Sequence, residues 1–188
     1  MKTNIKSIID SNIKVSEDLL CHLDTIEEIC LKTLETINSG NKILLCGNGG
    51  SASDSIHISS EIVGKFEKTR KALPAVSLST NPSHLTAIAN DFGFDYIFSR
   101  QIEAIGDNGD LLIAISTSGN SNNVIKAIDT ALIKNLNVII LTGNDGGAMN
   151  NYQCLKLKAP SDNVARIQEV HILAGHIISK YLEDNLYL

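Results

Sequence analysis

The sequence has 188 residues, of which 43% are hydrophobic and 20% are charged, as in an ordinary globular protein. This length fits one domain and is sufficient to bury a core. The formal net charge of −5 argues against a surface for nucleic acid or an anionic membrane, because both need clustered lysines and arginines. The arginines are Arg70, Arg100 and Arg166 alone, so an anionic ligand would be held largely by backbone amides and hydroxyl groups.

No targeting or membrane segment is recognisable in the sequence. Met1–Lys14 lacks the continuous apolar core of a signal peptide. The longest apolar runs, such as Leu111–Ile115, have the length of a strand rather than of a membrane span. The cysteines form no C-x-x-C pair and lie in apolar stretches, so we expect buried thiols. These features predict a cytoplasmic protein that makes no membrane contact.

Residues 1–40 predict a long N-terminal helical segment. Apolar residues recur at helical spacing from Asn4 to Asn38, which indicates one long helix or two consecutive helices. Gly40 is a suitable stop just past the end. A single domain hardly needs so long an amphipathic segment for its core, so we expect it to contact other subunits of an oligomer.

After Gly40, short apolar runs alternate with helical stretches. The runs predict five buried strands at Lys42–Cys46, Ala75–Ser79, Asp110–Ser116, Val138–Thr142 and Cys154–Lys158. Helices are expected at Ser53–Phe66, Pro82–Asn90, Ile97–Ile105, Ser121–Lys134 and Asn163–Leu186. This alternation predicts an α/β domain with a five-stranded parallel sheet flanked by helices. Ligands bind such sheets beyond the carboxyl ends of the strands, so the loops that follow the strands form the candidate site.

The loop after the first predicted strand reads CGNGGSAS (residues 46–53) and leads into a helix. Its glycines let the backbone approach a ligand closely, and a helix N-terminus favours an anion. The loop lacks the glycine spacing of a dinucleotide fingerprint and the lysine of a phosphate-cradling NTPase loop. A tight turn capped by Ser51 or Ser53 explains this loop equally well.

The loop after the third predicted strand reads STSGNS (residues 116–121) and stands immediately before a helix. Its hydroxyl groups can donate to phosphate oxygens, while the helix amides add positive potential. Helix capping explains Ser121. It does not explain Ser116, Thr117 and Ser118 as well, so this loop predicts a phosphate site.

Two helices carry candidate acid–base or metal-binding side chains. His57 and Glu61 are four residues apart, which places them on one helix face about 6 Å apart along the axis. They could share a metal or divide acid and base work, although a solvated helix pair gives the same spacing. In the last helix Gln168 and His176 could flank one groove, whereas His171 points elsewhere. We expect His171, like His22 and His84, to be a structural or surface residue.

Five stretches together resemble one protein family across nearly the whole chain. They are residues 46–61 (CGNGGSASDSIHISSE), 90–94 (NDFGF), 116–121 (STSGNS), 142–147 (TGNDGG) and 165–171 (ARIQEVH). They are similar to the phosphoheptose isomerases, which have a sugar-isomerase (SIS) domain. The resemblance implies a single SIS domain over residues 1–188, usually assembled as a homotetramer. It implies conversion of sedoheptulose 7-phosphate to D-glycero-D-manno-heptose 7-phosphate, which begins heptose synthesis for lipopolysaccharide core or related surface glycans.

The resemblance also implies the roles of individual residues. The positions that match substrate-binding residues, together with their neighbours in the candidate site, are Asn48, Gly49, Gly50, Ser51, Glu61, Asn90, Asp91, Ser116, Thr117, Ser118, Ser121 and Gln168. The ligands of one zinc ion per subunit would be His57, Glu61, Gln168 and His176. The acid and base would be Glu61 and His176. Some family members have Arg in place of Lys65 and Asp in place of Ala165, so contacts at the periphery of the sugar can differ.

Other functions remain open from the sequence. A regulatory SIS protein could bind the replication initiator without isomerase activity, although retention of His57, Glu61 and His176 argues against it. An isomerase of another sugar phosphate, such as a pentose, or a bare sugar-phosphate sensor would have similar loops.

Gln168 and His176 lie about 12 Å apart along one helix, so binding one ion would strain them. That strain predicts a site shared between subunits.

Overall fold

The computed structural model describes residues 2–186, and its apolar runs pair into one parallel sheet. The strands are β1 (Ile43–Gly47), β2 (Ala75–Ser77), β3 (Leu111–Ser116), β4 (Asn137–Thr142) and β5 (Leu155–Lys158). Their spatial order is β2-β1-β3-β4-β5, and every neighbouring pair is parallel. All residues of β1 and β3 are buried, because both faces of a parallel sheet are covered. The predicted α/β class is confirmed.

Helices pack on both faces of this sheet. The α-helices are α1 (Lys2–Asp18), α2 (Leu23–Asn38), α3 (Gly50–Val63), α4 (Pro82–Phe92), α5 (Ser99–Ile105), α6 (Asn122–Ile133) and α7 (Val164–Leu186). On one face Ile43 and Leu45 pack with α2, α3 and α7. On the other face Leu44 and Cys46 pack with α5 and α6. Alternate residues of one strand thus supply both halves of the core.

The boundaries of several elements differ from those predicted. The N-terminal segment is two α-helices joined by a 3₁₀ turn at Leu19–His22, which is one of the two predicted alternatives. Helix α3 begins at Gly50 rather than Ser53 and ends before Gly64. Helix α5 begins at Ser99 because Phe94–Tyr96 forms a separate 3₁₀ turn. Gly40 follows α2 with φ +80°, so the predicted stop is correct.

Apolar and thiol side chains on the outer helices are partly uncovered. The face of α1 exposes Ile5, Ile8, Ile9 and Ile13 by about half. Cys30 and Cys46 are buried as expected, Cys154 is partly buried, and Cys21, in the 3₁₀ turn, is exposed. Among the described helices, none is long and apolar enough to cross a membrane.

The strand order positions the candidate site. From β1 the chain continues to β2 on one side of the sheet, whereas β3 lies on the other side of β1. The connections after β1 and β3 therefore diverge and leave a crevice between their carboxyl ends. The glycine loop (residues 48–50) and the serine loop (residues 116–121) border this crevice.

Candidate active site

A reciprocal pair of amide hydrogen bonds joins the glycine loop to the first turn of α6, just after the serine loop. Asn48 Nδ2 donates to Asn123 Oδ1 at 2.8 Å, and Asn123 Nδ2 donates to Asn48 Oδ1 at 2.9 Å. Asn123 is buried in the first turn of α6. Asn123 was not among the residues predicted for the site, although its position just after the serine loop is a signal for it. The pair fixes the spacing of the two loops across the crevice.

The glycine loop leads into α3 without a side-chain cap. Gly49 occupies the N-cap position with φ +56°, a conformation that favours glycine. The capping that we considered for Ser51 or Ser53 is absent. Ser51 is buried, and Ser53 Oγ instead donates to the carbonyl of Gly49 at 3.4 Å. The start of α3 therefore presents its first amides uncapped toward the crevice.

The serine loop gathers hydroxyl groups at the end of β3. Ser116 Oγ lies 3.0 Å from Ser121 Oγ, and Ser118 Oγ accepts a hydrogen bond from the amide of Asn120 at 3.2 Å. Ser121 stands at the N-cap position of α6, but its side chain makes no capping hydrogen bond. The interpretation of Ser121 as a helix cap is therefore wrong, because its hydroxyl is turned to Ser116. Hydroxyls and uncapped helix amides converge here, as an anion site needs.

Three ionisable side chains meet between α3 and α7. His57 Nε2 lies 3.3 Å from Glu61 Oε1 and 3.3 Å from His176 Nε2. We call His57, Glu61 and His176 the α3–α7 cluster. The ring of Phe66, which follows α3, lies 5.6 Å from the His176 ring between centroids. Side chains that can exchange protons and an aromatic ring thus stand together in one chain.

Two glycines allow α3 and α7 to approach each other this closely. A Cβ on Gly175 would clash with the side chain of Ile58, and a Cβ on Gly50 would clash with the amide of Gln168. Gln168 therefore lies against the start of α3, where the glycine loop ends. The α3–α7 contact begins at the crevice and continues to the cluster.

Asp54 is a further acidic residue beside the cluster that the sequence analysis missed. It precedes His57 by one helix turn, and its Oδ2 is buried with no hydrogen-bond partner among residues 2–186. Burial raises its pKa to about 6, and the positive potential of His57 opposes that rise. The spacing of Asp54 and His57 was readable in the sequence, but the burial of the carboxyl was not.

Comparison with known proteins identifies the family. The SIS domain profile matches residues 11–143. A phosphoheptose isomerase of Campylobacter concisus is 45% identical over 184 residues, spanning 98% of this chain and 97% of its own length. One of Aneurinibacillus thermoaerophilus is 46% identical over 190 residues, spanning 100% of this chain and 96% of its own. The chain belongs to the phosphoheptose isomerase family.

Solved phosphoheptose isomerases share the fold over the whole chain. The structure from Francisella tularensis matches with a TM-score of 0.94 and 34% identity, covering 97% of this chain and 98% of that one. Gln168 and His176 lie beyond residues 11–143, which match the SIS profile. The full-length match to family members includes α7 and hence both residues.

Two of the predicted substrate-binding residues lie on the surface of α4. Asn90 and Asp91 are exposed near the end of α4, where Asn90 Nδ2 donates to Asp91 Oδ1 at 2.7 Å. Asn90 stands eight residues, about 12 Å, beyond the start of α4. Helix α4 has no buried residue. In one chain this pair thus lies on the surface, with a hydrogen bond between its two members.

The cluster contains three of the four predicted zinc ligands, and its donors fit such an ion in part. Two ligands about 2.05 Å from a tetrahedral ion are about 3.3 Å apart. His57 Nε2 lies 3.3 Å from Glu61 Oε1 and 3.3 Å from His176 Nε2. These separations and the nitrogen and oxygen donors suit zinc. However, in the described part of the chain no three His, Cys, Asp or Glu side chains are already grouped to hold an ion.

The other histidines occupy different surroundings. His171 is fully buried, and its Nε2 donates to the carbonyl of Thr142 at 3.1 Å. Burial lowers the pKa of His171 to about 4, although the bond to Thr142 opposes the shift. His22 is half-buried and His84 is exposed. His171 thus lies on the buried face of α7, as expected, whereas His176 lies on the face toward α3.

The structure weakens the argument from strain that predicted a site shared between subunits. His176 reaches His57 within one chain, at 3.3 Å between the Nε2 atoms. Gln168 lies instead against Gly50. The two α7 side chains therefore meet different parts of α3, and neither has to lean over Ile172 to do so.

Proposed function

We propose that this protein isomerises sedoheptulose 7-phosphate to D-glycero-D-manno-heptose 7-phosphate. The observation that carries the proposal is the contact of His57, Glu61 and His176 beside a crevice lined by hydroxyls and helix amides. Membership of the phosphoheptose isomerase family supports it. A regulatory role at the replication initiator would not need this acid–base set, so the geometry favours an enzyme.

The proposed reaction moves a proton between C1 and C2 of the substrate. Glu61 removes the proton from C1, which gives an enediol, and a proton is then returned to C2. His176 moves the proton between the two oxygens, so that the ketone at C2 becomes an alcohol and C1 becomes the aldehyde. The phosphate, bound at the serine loop, supplies remote binding energy that orients the reacting end.

We also propose one zinc ion per subunit, held by His57, Glu61 and His176 with Gln168 as the fourth ligand. Zinc bound there would polarise the substrate's carbonyl oxygen. Glu61 would then be a weaker base, because the ion partly neutralises its charge. Gln168 is uncharged and lies against Gly50, about two helix turns before His57 on α3, so it would have to move toward the cluster to become the fourth ligand.

The assembly that we propose is a cytoplasmic homotetramer. Support comes from the half-exposed isoleucines of α1 and from α4, which buries none of its side chains in one chain. Contiguous exposed apolar side chains mark contact surfaces in soluble proteins. Residues 1–40 would supply one contact, and the heptose product would enter the synthesis of lipopolysaccharide core or another surface glycan.

The decisive experiment is an assay of the purified protein with sedoheptulose 7-phosphate, with an aldoheptose phosphate as the product to detect. Pentulose and hexulose phosphates serve as matched substrates that differ in chain length. We expect turnover of the heptulose to exceed that of both. Turnover of a pentulose phosphate alone would reassign the substrate. Absence of any isomerisation, with binding to a replication initiator, would favour the regulatory alternative.

A further inference from the structure

A buried ion pair lies just beyond the α3–α7 cluster and has no role in the chemistry described above. Arg70 follows α3, and Glu183 lies near the end of α7. Their side chains are 1% and 0% exposed, and Arg70 Nε is 3.2 Å from Glu183 Oε1. That nitrogen makes no hydrogen bond among residues 2–186, so the contact is an ion pair only. Arg70 is also one of only three arginines in the chain.

The carboxylate of Glu183 holds the segment that connects α3 to β2. It accepts hydrogen bonds from the amides of Phe66 at 3.2 Å, Glu67 at 2.7 Å and Lys68 at 2.8 Å. Burial opposes ionisation of Glu183, but these three donors and Arg70 outweigh it and lower its pKa. Glu183 thus remains charged and fixes three successive residues of the segment.

The guanidinium group of Arg70 completes the end of α3. Its Nη2 donates to the carbonyl of Glu61 at 2.8 Å, and its Nη1 donates to that of Ile62 at 2.9 Å. Carbonyls in the last turn of a helix have no partner within the helix, and a cation there is favourable. The residue whose carbonyl is held in this way is the proposed base.

The pair therefore fixes both sides of the cluster. Through Arg70 it holds the backbone of Glu61, and through Glu183 it holds Phe66, whose ring lies 5.6 Å from that of His176. We infer that Arg70 and Glu183 are positioning residues that hold the base on α3 and the aromatic wall against His176. This inference rests on the proposed isomerase function and deepens it.

General physical chemistry favours positioning over stabilisation as the reason for this pair. Removing two charges from water offsets much of their attraction, so apolar residues of similar size often replace a buried pair without loss of stability. Apolar residues could not, however, hold three amides and two carbonyls in fixed places. Misplacement of a catalytic group by about 1 Å can cost about 100-fold in rate.

The test compares Glu183→Gln with Asp184→Asn. Asp184 is the next residue on α7, and it ties Lys68 of the same segment to the helix through an exposed ion pair at 2.9 Å. We expect kcat of Glu183→Gln to fall about 10- to 100-fold with KM unchanged. Asp184→Asn should behave as the wild type. A wild-type kcat in Glu183→Gln, or an equal loss in Asp184→Asn, would overturn the inference.

A second variant covers the case in which Glu183→Gln fails to fold. Arg70→Met combined with Glu183→Leu removes both charges while filling the space, so it is expected to fold. It lacks every hydrogen bond of the pair, and we expect the same loss of kcat. Normal turnover in this folded double variant would show that the pair is not needed for positioning.

A readout that does not depend on activity separates this inference from the proposed function. The His176 ring protons, observed by NMR with histidine labelled selectively, report the Phe66 ring through its ring current. In Glu183→Gln and in the double variant these signals should move toward their positions in Phe66→Leu. Unchanged signals would overturn the inference even if kcat falls. If the wild type isomerises no sugar phosphate, the proposed function fails, while the NMR comparison still tests the placement of Phe66.

Discussion

The α3–α7 cluster and the serine loop are two regions of the proposed site, and they are built from different groups. The cluster consists of ionisable side chains that touch each other, with His57 Nε2 3.3 Å from both of its partners. The serine loop consists of neutral hydroxyls, with Ser116 and Ser121 3.0 Å apart, beside uncapped helix amides. Proton transfer needs the first kind of group, whereas a phosphate is bound well by the second.

The difference indicates how a chain with few arginines can bind an anionic substrate. Each of its three arginines forms an ion pair with a glutamate. The pairs are Arg70 with Glu183, Arg100 with Glu103, and Arg166 with Glu169. We therefore expect the crevice to bind an anion mainly through main-chain and hydroxyl donors. We expect changes in the cluster to act on kcat and changes in the serine loop to act on KM.

The largest expected effect is at the cluster. Glu61→Gln and His176→Gln each remove a group that can exchange a proton, so kcat should fall about 10²- to 10⁴-fold. The matched control is His171→Gln, on the same helix but on its buried face. Steady-state kinetics on folded protein should leave His171→Gln with turnover much closer to that of the wild type. Activity within a few-fold of wild type in Glu61→Gln or His176→Gln would exclude them as the acid and base.

The next effect is expected at the serine loop. Ser118 is exposed at the crevice, and a hydroxyl that donates to a charged group contributes about 1.5–3 kcal/mol. Ser118→Ala should therefore raise KM for the phosphorylated substrate about 10- to 100-fold while kcat stays near its normal value.

The same heptulose without its phosphate provides the control for Ser118. It should be a very poor substrate, and its kcat/KM should be the same for the wild type and for Ser118→Ala. If the phosphate-free sugar turns over as well as the phosphorylated one, the serine loop is only a structural turn.

These regions differ in how far the sequence alone could predict them. The positions of His57 and Glu61 on one face, and of Gln168 and His176 away from His171, follow from helix geometry, and the structure agrees. The contact between His57 and His176 joins residues 119 apart. It depends on the close approach of α3 and α7 at Gly175, which no local pattern encodes. The burial of Asp54 and the pairing of Arg70 with Glu183 are hidden for the same reason.

In the serine loop the error was of the opposite kind, because a local sequence preference predicted a contact that the structure does not contain. Its residue types correctly indicated a group of hydroxyls at the end of β3. Preference for serine at helix starts also suggested that Ser121 is a cap, and that was wrong. Propensity describes the average helix start, whereas here the nearby hydroxyl of Ser116 competes for the Ser121 side chain.

A smaller effect is expected on folding stability at low pH, and it arises from His171 on the buried face of α7. The pKa of His171 is lowered from 6.5 to about 4 by burial. Above pH 6.5 its imidazole is neutral in both states, and the full stability is present. As the pH falls below that value, the unfolded chain binds a proton that the folded chain does not, so stability is lost.

Urea unfolding at one fixed protein concentration can measure this loss. Between pH 7 and pH 5 the His171 term should destabilise the wild type by about 2 kcal/mol. His171→Gln lacks the titrating group, so its stability relative to wild type should improve by that amount over the same interval. Parallel pH profiles for the two proteins would mean that His171 is protonated in the fold or is not desolvated.

The smallest effect is expected at Ser121, and it tests whether this residue binds substrate or caps α6. Replacement of a capping side chain by alanine costs about 1 kcal/mol, as we expect for Asn81→Ala. The Asn81 side chain does cap α4, since it accepts from the amides of Ser83 at 3.0 Å and His84 at 3.2 Å. Ser121 makes no such bond, so Ser121→Ala should change the free energy of unfolding by less than about 0.5 kcal/mol. It should nevertheless raise KM. A stability loss equal to that of Asn81→Ala, with an unchanged KM, would return Ser121 to a purely structural role.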